Sequence, residues 1–131
     1  MTREYYSTNS AYEKIANYSR AVCDGEWIFV SGTTGFDYST MTISDDVVEQ
    51  TEQTFKTINE SLSQFGASLA DVIRVRVFIV DGKDWETINR IVGKYFQDIN
   101  PANTTVMAPL VDPRMKVEIE VTARRQSTTT Q

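Results

Sequence analysis

Apolar residues recur every three or four positions in two stretches of the chain and alternate, or run together, in several others. Val48, Phe55, Ile58, Leu62 and Phe65, with Thr51 filling one step, predict a helix. Ser44 is its expected N-cap, Asp45 and Asp46 put negative charge at its positive end, and Gly66 stands where a left-handed C-cap stops it. Trp85, Ile88, Val92, Tyr95, Phe96 and Ile99 predict a second helix, capped by Asp84 and ended by Asn100-Pro101. Each helix carries a single apolar stripe and therefore covers one surface, a sheet. Strands are expected over Tyr18 to Cys23 and Trp27 to Ser31 around the Asp24-Gly25 turn, over Val72 to Val80, over Thr104 to Ala108 and over Lys116 to Ala123. With a first strand ahead of these, the order is β-β-β-α-β-α-β-β. This is an α+β fold with two helices packed on one face of the sheet.

The other face of that sheet is neither apolar nor fully polar. On the last strand Val117, Ile119 and Val121 point one way, and Glu118, Glu120 and Thr122 the other. On the long strand Ile73, Val75, Val77 and Ile79 are expected to share the helix side, leaving Arg74, Arg76 and Phe78 opposite. A face of Arg, Glu, Phe and Thr is too apolar in part for free solvent and too charged for a monomer core. Burial between subunits satisfies both demands, so a homo-oligomer is expected.

Composition narrows the chemistry. The 131 residues suit one domain, with residues 1–125 as its body and 126–131 as a frayed polar tail at the end of a Thr-rich stretch that starts at Arg124. Histidine is absent, which excludes a Ser-His-Asp or Cys-His mechanism and His-ligated metal; the single Cys23 excludes an intramolecular disulfide and a Cys-rich metal site. A net charge of −5 makes nucleic acid and anionic membranes poor partners. No apolar run approaches the ~20 residues of a membrane span, and the first residues lack the apolar stretch of a secretory signal, so a cytoplasmic location is expected.

Few side chains stand out as chemistry. Glu118 and Glu120 lie on one face about 7 Å apart, where a carboxylate near a subunit boundary can hold and activate water; a cross-strand ion pair with Arg74 or Arg76 is the plainer explanation of both from the residues alone. Tyr18 and Arg20 alternate onto one face of the early strand, and Gly32 and Gly35 allow close backbone approach after Ser31. Asp112-Pro113-Arg114 reads as a turn in which Arg114 is a candidate anion contact. Cys23 reads as a small strand residue and not a nucleophile.

The ordered set Ala16-Asn17-Tyr18-Ser19-Arg20-Ala21-Val22, Ile28-Phe29-Val30-Ser31-Gly32, Thr54-Phe55-Lys56-Thr57-Ile58, Thr87-Ile88-Asn89 with Tyr95-Phe96, Pro101-Ala102-Asn103-Thr104-Thr105-Val106 and Val117-Glu118-Ile119-Glu120-Val121 resembles the YjgF/RidA family, also described as endoribonuclease L-PSP, from about Tyr12 to Arg125. The resemblance implies a chorismate-mutase-like fold and a homotrimer with clefts at the subunit boundaries. It also implies hydrolysis of reactive enamines and imines, such as 2-aminoacrylate, with no metal or organic cofactor. Glu118 falls on the family's water-positioning glutamate, and Tyr18, Ser31, Gly32 and Asn89 match cleft positions. The family's carboxylate-gripping arginine is replaced by Asn103, and Thr105 stands where cysteine is frequent. Removing that charged fork costs about 1.5–3 kcal/mol of recognition. Efficient 2-aminoacrylate turnover is therefore not expected, unless Arg20 or Arg114 compensates. Two readings stay open: a hydrolase acting on an imine, enamine or related carbonyl metabolite, and a non-catalytic trimeric metabolite-binding protein. Ribonuclease activity rests on the inherited family description alone.

Overall fold

The computed structural model describes residues 2–126. Its elements run β1 (Arg3–Tyr6), α1 (Ala11–Ala16), β2 (Ala21–Asp24), β3 (Trp27–Thr34), β4 (Phe36–Asp37), β5 (Thr42–Ile43), α2 (Val47–Ser63), β6 (Val72–Ile79), α3 (Trp85–Tyr95), β7 (Ala102–Met107) and β8 (Val117–Arg124). Six strands form one mixed sheet in the order β1-β2-β3-β8-β6-β7, in which only β6 and β7 are parallel, and β4 and β5 form a separate small hairpin.

The two long helices lie on one face of the sheet, as their single stripes require. Phe55, Ile58 and Leu62 of α2 and Ile88 and Val92 of α3 bury against Val75, Val77, Ile79, Val117, Ile119 and Val121. Phe55 also stacks on Tyr95 at 4.3 Å, which ties the helices to each other. The N-cap of α2 is Asp46 and not Ser44: the Asp46 carboxylate accepts from the Glu49 amide at 2.9 Å, while Ser44 supports the turn before it. Gly66 has the expected left-handed φ of 72° and closes the helix end, with the Ala67 amide reaching back to Leu62. Asp84 makes no capping bond to α3. A single 3-10 turn over Gly82–Asp84, capped by Asp81, leads into that helix instead.

Local pattern missed two elements and misplaced two details. The short helix α1 and the β4–β5 hairpin hold too few residues for a periodicity to emerge, and both contribute to a second apolar cluster of Phe36, Tyr38 and Met115 with Tyr12, Met41, Ile43 and Leu110. The strand expected from Tyr18 begins at Ala21, because Asn17 turns through a left-handed conformation that ends α1. Ile73 was expected inward and is 45% exposed, with Val72 buried in its place. The register shifts between Val72 and Arg74 against β8, and this irregularity turns Ile73 outward. Arg124 is the last residue of β8, and of the expected tail 126–131 all but Gln126 lies outside the described residues.

Candidate functional site

The site begins with a bulge. Val30 pairs with Val121 and Thr33 with Ile119, so Ser31 and Gly32 together oppose the single residue Glu120. The bulge brings Gly32 against the next carboxylate along β8: a Cβ built on Gly32 would lie 2.1 Å from Glu118 Oε2. Only glycine leaves that carboxylate its place. Ser31 is drawn the other way, its hydroxyl donating to the Ser19 carbonyl at 2.7 Å.

Arg20 lies on the same side and is 0% exposed. Its Nη2 donates to the Gly32 carbonyl at 2.9 Å, and its guanidinium rests over Tyr38 at 4.5 Å and near Tyr18 at 5.7 Å. Tyr38 in turn accepts at 2.9 Å from the amide of Thr34, the cross-strand partner of Glu118. Tyr18 remains 39% exposed at the rim, and burial pushes its hydroxyl pKa up.

The two strand carboxylates separate in role. Arg76 lies opposite Glu120 and pairs with it at 3.7 Å, the cross-strand ion pair that the sequence allowed for either acid. Glu118 lies opposite Phe78 and has no cation within 4 Å among the described residues. Burial pushes its carboxyl above the usual carboxylate range; Arg20 pulls it back and Glu120 pushes it further up. A half-buried, unpaired carboxylate of raised pKa is the form suited to general acid–base work.

The remaining site residues lie elsewhere. Asn103 pairs in register with Val75, and Thr105 with Val77, so both belong to the helix side of the sheet, whereas Glu118 is on the open side. Asn89 and Asn103 line a hollow of about 450 Å³ between α3 and the edge strand β7, together with Val75, Val92, Phe96 and Asn100. Thr105 donates its hydroxyl to Asn103 Oδ1 at 3.0 Å, and Asn89 Nδ2 donates to the Trp85 carbonyl at 3.0 Å. The Asn103 amide NH₂ makes no hydrogen bond among the described residues. Arg114 is gripped by Asp112 through Nε and Nη2 at 3.1 and 2.9 Å and covers Phe36 at 5.2 Å. Cys23 is buried with its thiol donating to Gly25, and burial pushes its pKa up. Arg20 as the floor beside Glu118 could be reached from the sequence only as a member of the Tyr18–Arg20 alternation; Tyr12 and Tyr38, on the helix and hairpin that periodicity missed, gave no signal.

Among the described residues no group of three or more His, Cys, Asp or Glu is arranged to hold a metal ion, and no helix is long and apolar enough to cross a membrane.

A mixed six-stranded sheet with helices on one face, and a bulge that seats a strand carboxylate on a bare glycine, defines a small α+β domain with a candidate site on its open face. The profile of the Endoribonuclease L-PSP family matches residues 8–125, and the chain belongs to that family, also called YjgF/RidA. It is 30% identical over 131 residues to the human 2-iminobutanoate/2-iminopropanoate deaminase, covering 99% of this chain and 96% of that one. It is 33% identical over 122 residues to the chloroplastic Reactive Intermediate Deaminase A of Arabidopsis thaliana, covering 92% of this chain but only 65% of that longer protein. Among solved structures, a YjgF/YER057c/UK114 family member from Mycobacterium tuberculosis superposes with a TM-score of 0.86 at 34% identity, covering 95% of this chain and all of that one. The fold is thus the chorismate-mutase-like α+β fold of this family.

Proposed function

We propose that this chain is a RidA-like hydrolase that acts on a small imine, enamine or related carbonyl metabolite, in clefts between the subunits of a cytoplasmic homotrimer. One observation carries the proposal. The family's cleft residues fall into two groups on opposite sides of one sheet: Glu118 on the open face over Gly32, with Ser31 in the same bulge and Tyr18 at the rim, and Asn103 and Thr105 on the helix face, with Asn89 across the hollow on α3. No single chain can close them around one small molecule, but the open face of one copy against the β7 edge of another can. The open face is also poorly suited to water, with Trp27 43% and Phe29 49% exposed beside Ile73. Light scattering is expected to give about 45 kDa, three times the 14.9 kDa chain; a 15 kDa species would remove the shared cleft.

The chemistry asks little of the protein. An imine carbon is already electrophilic, so catalysis reduces to placing water and matching charge. Glu118 takes a proton from water as its oxygen adds to the imine carbon. That proton passes to the nitrogen to give a carbinolamine; Glu118 then takes the hydroxyl proton and delivers it to the nitrogen as the C–N bond breaks, so that ammonia leaves and a carbonyl product remains. Tyr18 and Asn103 orient the substrate, and the Ser31-Gly32 turn receives its oxygen. No cofactor takes part.

Asn103 favours a substrate without a carboxylate at that position, since its free NH₂ suits a neutral carbonyl or amide. The same residue favours a second reading, a trimeric binding protein without turnover. The description endoribonuclease fits poorly with a chain of net charge −5 and no histidine. Clearance of 2-aminoacrylate generated by a coupled lyase tests the reading. Wild type is expected to be weak, and Asn103→Arg is expected to gain about tenfold or more, because it restores a charged fork to an otherwise complete cleft. Failure of Asn103→Arg to gain, together with wild-type silence on neutral imines, would leave only the binding protein.

A further inference from the structure

Arg20 is the largest of the fully buried side chains, and its position is not explained by packing. A buried guanidinium is costly unless its donors are satisfied and its charge is balanced. Arg20 spends one donor on the Gly32 carbonyl at 2.9 Å, while Nε and Nη1 are buried with no hydrogen-bond partner among the described residues. The faces of two tyrosine rings, Tyr38 at 4.5 Å and Tyr18 at 5.7 Å, offset part of the cost of the charge but bond neither of those nitrogens. What an apolar side chain would not do is hold Gly32, and Gly32 is the residue whose missing Cβ leaves room for the Glu118 carboxylate.

We propose that Arg20 is a positioning residue for Glu118, acting through Gly32: its hydrogen bond holds the bulged turn against the carboxylate, and its charge faces that carboxylate from across the turn. The proposal rests on the reading of Glu118 as the group that holds water. It accounts for a charge kept in a tyrosine-walled interior and for the turn at Ser31-Gly32 being held from both sides, by the Ser31 hydroxyl on Ser19 and by Arg20 on Gly32. The charged and titratable groups around Glu118 are Arg20 from the segment before β2, Glu120 from its own strand and Tyr12 from α1. Of these, Arg20 alone favours the ionised carboxylate, against burial and Glu120.

The test is a carbon-detected NMR titration of the full chain labelled at glutamate carboxyls, with the Glu118 signal identified by its loss in Glu118→Gln. Arg20→Met keeps length and apolar contact with the tyrosines while removing the charge and the Gly32 bond. It is expected to let Glu118 take up its proton at about tenfold lower proton concentration than wild type. Arg20→Lys, which keeps charge but not the planar donor geometry, is expected to shift it less. Glu120→Gln is expected to shift it the opposite way. If Arg20→Met does not fold, Arg20→Gln repeats the measurement with a donor retained and the charge gone. A melting temperature that falls while the Glu118 midpoint stays at the wild-type value would overturn the proposal, since a merely structural arginine gives that result. So would an Arg20→Lys shift as large as that of Arg20→Met. Imine turnover separates the two ideas. Turnover indifferent to Glu118→Gln strikes the water-holding reading and leaves the titration result standing, whereas an unmoved midpoint with turnover that needs Glu118 strikes Arg20 alone.

Discussion

Glu118→Gln is expected to lower imine hydrolysis by about 10²–10⁴-fold, the range removed with a positioned general base. The amide is nearly the size of the carboxylate and keeps the seat over Gly32, so the fold and ligand binding are expected to survive. Unlike Glu120, whose charge is taken up by Arg76 at 3.7 Å, Glu118 has no cation within 4 Å among the described residues, and its proton affinity is available for the reaction. The sign of the pH dependence follows. A base works only when deprotonated, so turnover falls as pH drops through the Glu118 midpoint. Because burial raises that midpoint, the acid limb lies above the pH of an ordinary glutamate. Steady-state kinetics of wild type and Glu118→Gln across the acid range, beside Glu120→Gln as a control, measure both. Equal losses in the two variants would refute the separation of roles.

Gln50→Glu is expected to destabilise the chain by about 2–4 kcal/mol, from two lost hydrogen bonds and a buried charge. Gln50 is fully buried on α2, where its Nε2 donates to the Ser44 carbonyl at 2.7 Å and to the Arg114 carbonyl at 2.8 Å, while its Oε1 accepts from the Lys116 amide at 2.9 Å. One side chain thus ties the entry of α2 to the loop that leads into β8. Gly35 packs directly on it: a Cβ built there would lie 2.7 Å from the Gln50 Cα, so only glycine fits at that contact. Glutamate keeps the shape and the acceptor but loses both donors. Denaturant unfolding compares Gln50→Glu with Gln50→Ala: a Glu variant as stable as wild type would show that packing, and not the donated hydrogen bonds, holds this loop. Because that loop ends where β8 carries Glu118, ligand affinity is expected to fall with stability.

Two helices, the inward rows of β8 and, from Val75 onward, of β6, and the charged character of the opposite face were legible because each rests on a period of two or three to four residues within one segment. The candidate residues were legible as types and positions, Glu118 among them, but their assortment was not. Nothing within β8 distinguishes Glu118 from Glu120; the distinction lies in which residue of β6 faces each, Phe78 or Arg76. Arg114 reads from the sequence as a candidate anion contact, yet a neighbour two residues away holds it. Gln50 reads as an ordinary polar helix residue, since its partners lie six and more than sixty residues along the chain.

By itself, then, the sequence determined the class of fold, the elements and the faces that the long helices must cover, because side-chain periodicity is a local property of backbone geometry. The tertiary structure alone decided the rest. The bulges at Val72–Arg74 and at Ser31-Gly32 turned Ile73 outward and seated Glu118 over a glycine. Cross-strand register put Asn103 and Glu118 on opposite faces, and the Tyr38 hairpin closed over Arg20. All of these depend on which residue of one strand meets which residue of another, a choice set by the packing of the whole sheet and not by any segment within it.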